Sequence, residues 1–274
     1  MEPATPIAYI CGIKTNYMST TILHKAATRG HADHGWLDSW QTFSFAGYYE
    51  PERVQFGALR VLNDDTVAGG RGFGSHPHEN MEIISIPLEG SLVHEDNLGH
   101  KRVVSEGEIQ VMSTGTGVFH SEFNNNPDTP ARFLQIWVFP NKLNVTPRYD
   151  QIKLSSSKEH NTLQQIIFPA PAEGTVHEYR EHKHHVDKQG TWIYQDAWFN
   201  MGTFDAGREI EYDVKKQGDG VYLFVIEGAF LYDGGRLEAR DGLGVTDAAT
   251  LKLKAAESGS KILIMEVPMK VQVQ

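Results

Sequence analysis

Cysteine is almost absent from this sequence: Cys11 stands alone, so no internal disulfide can form. That usage suits a reducing compartment, and a cytoplasmic protein is expected, with Cys11 a bystander in an N-terminal tail. No run of about 18 apolar residues occurs, so no transmembrane helix is expected. The opening MEPATPIAYICG has neither the basic nor the apolar region of a secretory signal. Positive charge is short too: 25 Lys and Arg stand against 35 Asp and Glu, for a formal net charge of −10. This balance argues against binding nucleic acid or a membrane surface, and leaves a basic protein partner open. A phosphate-cradling glycine loop is also missing, since GRGFGS at 70–75 lacks the full dinucleotide fingerprint and its βαβ setting.

What is present reads as β structure. The 26 glycines and 12 prolines among 274 residues favour many short strands, and 40% hydrophobic content supports a real core. Strands are expected at 41–45 and 56–62, with Asn63-Asp64-Asp65 and Gly69-Gly70 as turns. A hairpin is expected around 96–99, and ARFLQIWVF at 131–139 reads as a strand apolar on both faces. NKLNVTPRYD at 141–150, with the serines at 155–157, reads as a connector. Short strand candidates then recur at 163–168, 191–197, 220–226, 229–232, 242–245, 250–254 and 261–267. Asp233-Gly234-Gly235 is a hairpin turn among them. The expected division is an extension at 1–17 and two β domains, 18–150 and 151–274, with little helix.

The chemistry concentrates in RGFGSHPHENMEIISIPLEG at 71–90. His76 and His78 lie two apart, so on a strand they share a face. His120 and Glu122, in GTGVFHSEFN, repeat that spacing. Two such pairs on neighbouring strands would bring three imidazoles and a carboxylate to one centre. That donor set suits a divalent transition metal such as iron, manganese, nickel, copper or zinc. Two carboxylates compete for the fourth position. Glu82 follows His78 by four residues on the same face of a regular strand, and Glu122 shares a face with His120. Spacing does not separate them, because Glu82 could equally orient a histidine from behind. Glu79 points away, towards solvent. His31 and His34 are expected to bond backbone in a loop, and His94 and His100 to sit in an exposed turn. His177, His182, His184 and His185, inside VHEYREHKHHVDKQG, are expected in a solvated loop.

The stretches at 29–45, 56–65, 70–90, 94–100, 107–124 and 134–140 resemble the cupin superfamily and, more closely, the pirin family. The second half resembles that family's C-terminal cupin through WIYQDAWF at 192–199, VIEG at 225–228 and DGLGV at 241–245. The resemblance implies an all-β bicupin, two face-to-face cupin (jelly-roll) β-barrels, with the metal in the N-terminal one only. It implies His76, His78, His120 and Glu122 as ligands. Fe(II) is the first expectation; manganese, nickel, copper, cobalt and zinc suit the same donors. Asn124 matches the close of the second cupin motif. The implied activity is that of a quercetin 2,3-dioxygenase, which opens a flavonol such as quercetin with dioxygen and releases carbon monoxide. Glu122 would be the base for the flavonol hydroxyl. The family's nuclear members suggest an alternative, an iron-bearing regulator whose oxidation state changes its affinity for a protein partner. A substrate-sized apolar pocket at the metal favours the enzyme, and a buried metal beside a broad charged face favours the regulator. A metal-free structural cupin would leave four convergent side chains without a reason.

Overall fold

The computed structural model describes residues 19–155, 160–171 and 190–272. Residues 1–17 with Cys11, Ser156 and Ser157, and the histidines at 177, 182, 184 and 185 lie outside the described residues. Short alternating segments closed by glycine and asparagine turns form four antiparallel-rich sheets, two of seven strands and two of four. Among the described residues the single helical element is the 3-10 turn Ala26–Thr28. No described helix is long and apolar enough to cross a membrane.

In the first half, the large sheet runs Arg148–Lys153, Glu108–Ser113, Glu82–Glu89, Ala131–Val138, Leu59–Val67, Leu37–Gln41, Gly30–Asp33. Its small companion runs Gly72–His78, Val118–Asn124, Ser91–Asp96, Lys101–Ser105. The second half repeats the plan, its small sheet being Glu209–Asp213, Thr250–Ala255, Ala229–Tyr232 and Gly235–Glu238. Two cupin-like β domains result, and their large sheets face each other through one shared core. Leu62, Ile84, Leu134 and Ile136 come from the first sheet and Tyr222, Phe224, Leu263 and Met265 from the second. The period of two explains the doubly apolar strand Ala131–Val138. Leu134 and Ile136 enter the seam between domains, while Phe133 packs inside its own domain with Leu37 and Leu92.

Three segments differ from expectation. Thr20–His24 pairs with Gly242–Thr246, so a segment read with the N-terminal half extends the C-terminal sheet. Arg148–Lys153, read partly as connector, pairs with Glu108–Ser113 and extends the N-terminal sheet past residue 150. Asn63-Asp64-Asp65, read as a turn, lies inside the strand Leu59–Val67. Asp64 can be buried there because Arg240 Nε (2.7 Å) and Arg29 Nη1 (3.5 Å) meet its carboxylate. Asn63 and Asp65 turn the opposite way, into the domain interior. The hairpins around 96–99 and 233–235 form as expected.

His24 anchors its strand within the C-terminal sheet, its Nδ1 lying 2.8 Å from Tyr222 Oη. Burial, followed by the nearby Arg53 charge, lowers its pKa from 6.5 to about 4. Between those values the unfolded chain binds a proton that the folded chain does not, so stability is lost as pH falls from 6.5 towards about 4. Urea titrations above and below pH 6.5 should therefore show a smaller acid loss for His24→Gln than for wild type. Equal losses would contradict the role given to His24.

Candidate metal centre

The site lies between the two N-terminal sheets. Gly72–His78 pairs with Val118–Asn124, with His120 opposite His76 and Val118 opposite His78. Opposed residues share a face, so three rings meet. Their centroids are 4.5 Å (His76–His120), 4.8 Å (His76–His78) and 5.0 Å (His78–His120) apart. One nitrogen from each lies within 4.8 Å of the other two.

A bulge refines the placement. The register slips between His120 and Glu122, so Glu122 opposes Phe73. Within this bulge the Gly74 carbonyl lies 2.7 Å from His76 Nδ1. His76 Nδ1–H donates to it, leaving Nε2 as the free donor towards an ion. The close approach needs a glycine at 72, where a Cβ would stand 2.3 Å from the Glu122 carbonyl oxygen.

His120 is fixed from behind. His94 Nε2–H donates to Asp96 Oδ2 at 3.0 Å, so its Nδ1 accepts from His120 Nδ1–H at 3.4 Å. Gln110 Nε2 donates to the same His94 nitrogen at 3.3 Å. Burial opposes the Asp96 charge, but bonds from His94, His100 and Leu98 outweigh it and hold the carboxyl below its usual range. This carboxylate–imidazole–imidazole chain aims His120 Nε2 at the cluster, and that atom is buried with no partner. Burial, reinforced by the neighbouring imidazoles, lowers the pKa of His78 to about 4 and that of His120 further. Both rings are neutral at pH 7, the form a metal requires.

Glu122 is buried, with Oε1 accepting from Ser85 Oγ (3.1 Å) and Oε2 from Gln135 Nε2 (2.9 Å). Burial pushes its carboxyl above the usual range; a cation in front of it would supply the missing countercharge. The structure groups Glu122 within 4.8 Å of His120 and His94, in a cluster adjoining the three imidazoles and sharing His120. Both His94 nitrogens are already engaged, so His94 orients and does not compete as a donor. Three lone pairs aimed together and a carboxylate lacking its countercharge fit a divalent transition ion.

Glu82 takes no part in this group. Asn80 adopts a positive φ of 49°, and the chain turns there into a different sheet. Glu82 therefore does not share a strand with His78. It accepts instead from Ser113 Oγ at 2.7 Å, and burial, opposed by that bond and by the Tyr194 backbone, pushes its pKa up to about 7. His94, expected in an exposed turn, is 0% exposed, because it lies on the inner face of the small sheet beside Glu122, with Gln110 and Tyr149 of the large sheet packed against its ring. Its i,i+2 relation to Asp96 on a strand was the available signal. His100 is partly exposed and stacks on Tyr149, which also packs against His94. His31 belongs to the strand Gly30–Asp33, stacking on Trp40 at 4.1 Å and bonding Asp38 at 3.1 Å. Asn124 is a staple, donating to the carbonyls of Val67 (3.0 Å) and Thr129 (2.8 Å).

A cavity of about 710 Å³ reaches His76, His78 and Glu122. Its size is that of a small-molecule site. Phe45, Phe73, Ile83 and Trp137 form apolar walls, and His31 and His34 also line it. Opposite the histidines, Gln41, Asn63, Gln135 and Ser85 stand in register across four strands as a polar row.

Two facing β domains with a histidine–carboxylate cluster inside the first define a bicupin. Residues 23–138 match the family model of pirin, and residues 184–267 match the quercetinase C-terminal cupin domain. The chain is 37% identical over 246 residues to quercetin 2,3-dioxygenase of Escherichia coli, covering 90% of this chain and 98% of that protein. It is 37% identical over 235 residues to a pirin-like protein of Caulobacter vibrioides, covering 86% and 94%. The crystal structure of the E. coli bacterial pirin YhhW in complex with nickel(II) matches with a TM-score of 0.80 at 34% identity, covering 91% of this chain and 99% of that one. This chain belongs to the pirin family.

Replacing His94 by phenylalanine keeps a ring between His120 and Tyr149 but removes the acceptor behind His120. Metal affinity should fall about 10- to 100-fold, as read by competition with a chromogenic chelator. Unchanged affinity would show that the chain from Asp96 does not orient the ligand.

Proposed function

We propose that this protein is a metal-dependent dioxygenase of the pirin type, opening a flavonol such as quercetin with dioxygen and releasing carbon monoxide. The carrying observation is the apolar-walled cavity of about 710 Å³ that ends on His76, His78 and Glu122. In this reading His76, His78, His120 and Glu122 hold one divalent ion. Fe(II) is the first candidate, and manganese, nickel, copper, cobalt and zinc are suited to the same donors. The bound ion would supply Lewis acidity towards the flavonol oxygen and a partner for dioxygen. Glu122, held by Ser85 and Gln135, is the acceptor for the flavonol hydroxyl proton. Phe45, Phe73 and Trp137 orient the flat rings and keep water from them. The relative named quercetin 2,3-dioxygenase and the nickel-bound relative support the reading.

The regulator reading expects an enclosed ion under a broad charged face. The open, apolar-walled cavity favours the enzyme. Anaerobic mixing of metal-loaded protein with quercetin, followed by air, should bleach the flavonol absorbance and release carbon monoxide. No turnover with any of the six metals would overturn the proposal.

A further inference from the structure

We propose that Gln41, Asn63 and Asp65 form a subsite that reads hydrogen-bond donors, selecting polyhydroxylated aromatic ligands by hydroxyls remote from the reacting end. The proposal rests on the flavonol reading of the cavity and adds how one flavonol is told from another. Asn63 stands opposite both Gln41 and Gln135 in the sheet, and Asp65, two residues on, shares its face. All three line the cavity and are at most 4% exposed. Gln41 Oε1, Asn63 Oδ1 and Asp65 Oδ1 nevertheless have no hydrogen-bond partner in the protein.

Buried acceptors are ordinarily paired, and leaving one unpaired is costly. The contrast within the row is informative. Gln135 and Ser85 are satisfied through Glu122, whereas Asn63 and Asp65 on the next strand and Gln41 on the one beyond face the cavity. Burial pushes the Asp65 carboxyl up to about 7 although Ser39 bonds it, so its charge is left uncompensated by the protein. Three oxygens that receive no hydrogen bond from the protein suit a ligand that brings O–H groups, and the Asp65 carboxyl can also donate when protonated. Among the described residues, the single unpaired buried donor lining the cavity is Trp137 Nε1, whose ring packs against His78 at 4.9 Å, and it is available to a carbonyl or ether oxygen. Two strand spacings, about 10 Å, separate Gln41 from Gln135. One molecule touching both Glu122 and Gln41 therefore needs two or three rings.

The test is equilibrium binding without oxygen, read by tryptophan fluorescence on protein holding the metal it is purified with. The probes are quercetin and 3-hydroxyflavone, which keeps the reacting hydroxyl and lacks the others. Wild type should prefer quercetin by about 10-fold or more. Asn63→Leu and Gln41→Leu should each narrow that ratio severalfold by weakening quercetin far more than 3-hydroxyflavone. Their urea unfolding midpoints should hold or rise, since an unpaired buried acceptor has gone. A ratio unchanged in both variants, or equal weakening of both flavonols, would overturn the subsite and leave those oxygens to water. The readout is binding, so failure of turnover would reject the proposed reaction without touching this result. Wild type that fails to prefer quercetin, beside intact turnover, would reject the subsite and leave the proposed reaction standing.

Discussion

The antiparallel pairing of Gly72–His78 with Val118–Asn124 puts His76 and His120 directly across from each other, with His78 one step along. Three imidazoles at this separation repel one another if charged, and burial removes the solvation that would permit charging. His78 and His120 are held as neutral rings, and the second nitrogens of His76 and His120 are tied to the Gly74 carbonyl and the His94–Asp96 chain. The bulge that places the Gly74 carbonyl against His76 also brings Glu122 opposite Phe73, so one irregularity positions the buried carboxylate and a cavity wall together.

The two domains share a plan and differ in what fills them. Between the C-terminal sheets the space is taken by Phe204, Tyr212, Phe230, Leu237 and Leu253, an ordinary apolar core. Between the N-terminal sheets a polar row runs across the large sheet, and histidines face it from the small one. The large sheet can carry polar residues on its inner face because its outer face is fully committed to the seam with the second domain, through Leu62, Ile84, Leu134 and Ile136. The second domain thus acts as a backing that stabilises a sheet whose other side is given to chemistry.

Much of this was legible in sequence wherever the strand period of two carried the information. His76 with His78, and His120 with Glu122, needed only that period, as did the doubly apolar strand at 131–138. The contest between Glu82 and Glu122 was not legible, because the turn at Asn80 that separates Glu82 from the histidines has no apolar pattern to betray it. The burial of His94 is not legible, because it depends on Gln110, His120 and Tyr149, distant in sequence, closing around its ring. Asn63-Asp64-Asp65 has the composition of a turn, and only tertiary context distinguishes that from a strand facing arginines on one side and the cavity on the other. The membership of Thr20–His24 in the C-terminal sheet is likewise non-local.

We propose that one ion sits among His76, His78 and His120 with Glu122 as its carboxylate. Metal content per chain, measured by plasma mass spectrometry on protein purified without chelator or affinity histidines, tests it most directly. Wild type and Glu82→Gln should each carry about one equivalent, and Glu122→Ala should lose most of it. Full occupancy in Glu122→Ala with loss in Glu82→Gln would show that Glu122 is not the carboxylate that holds the ion.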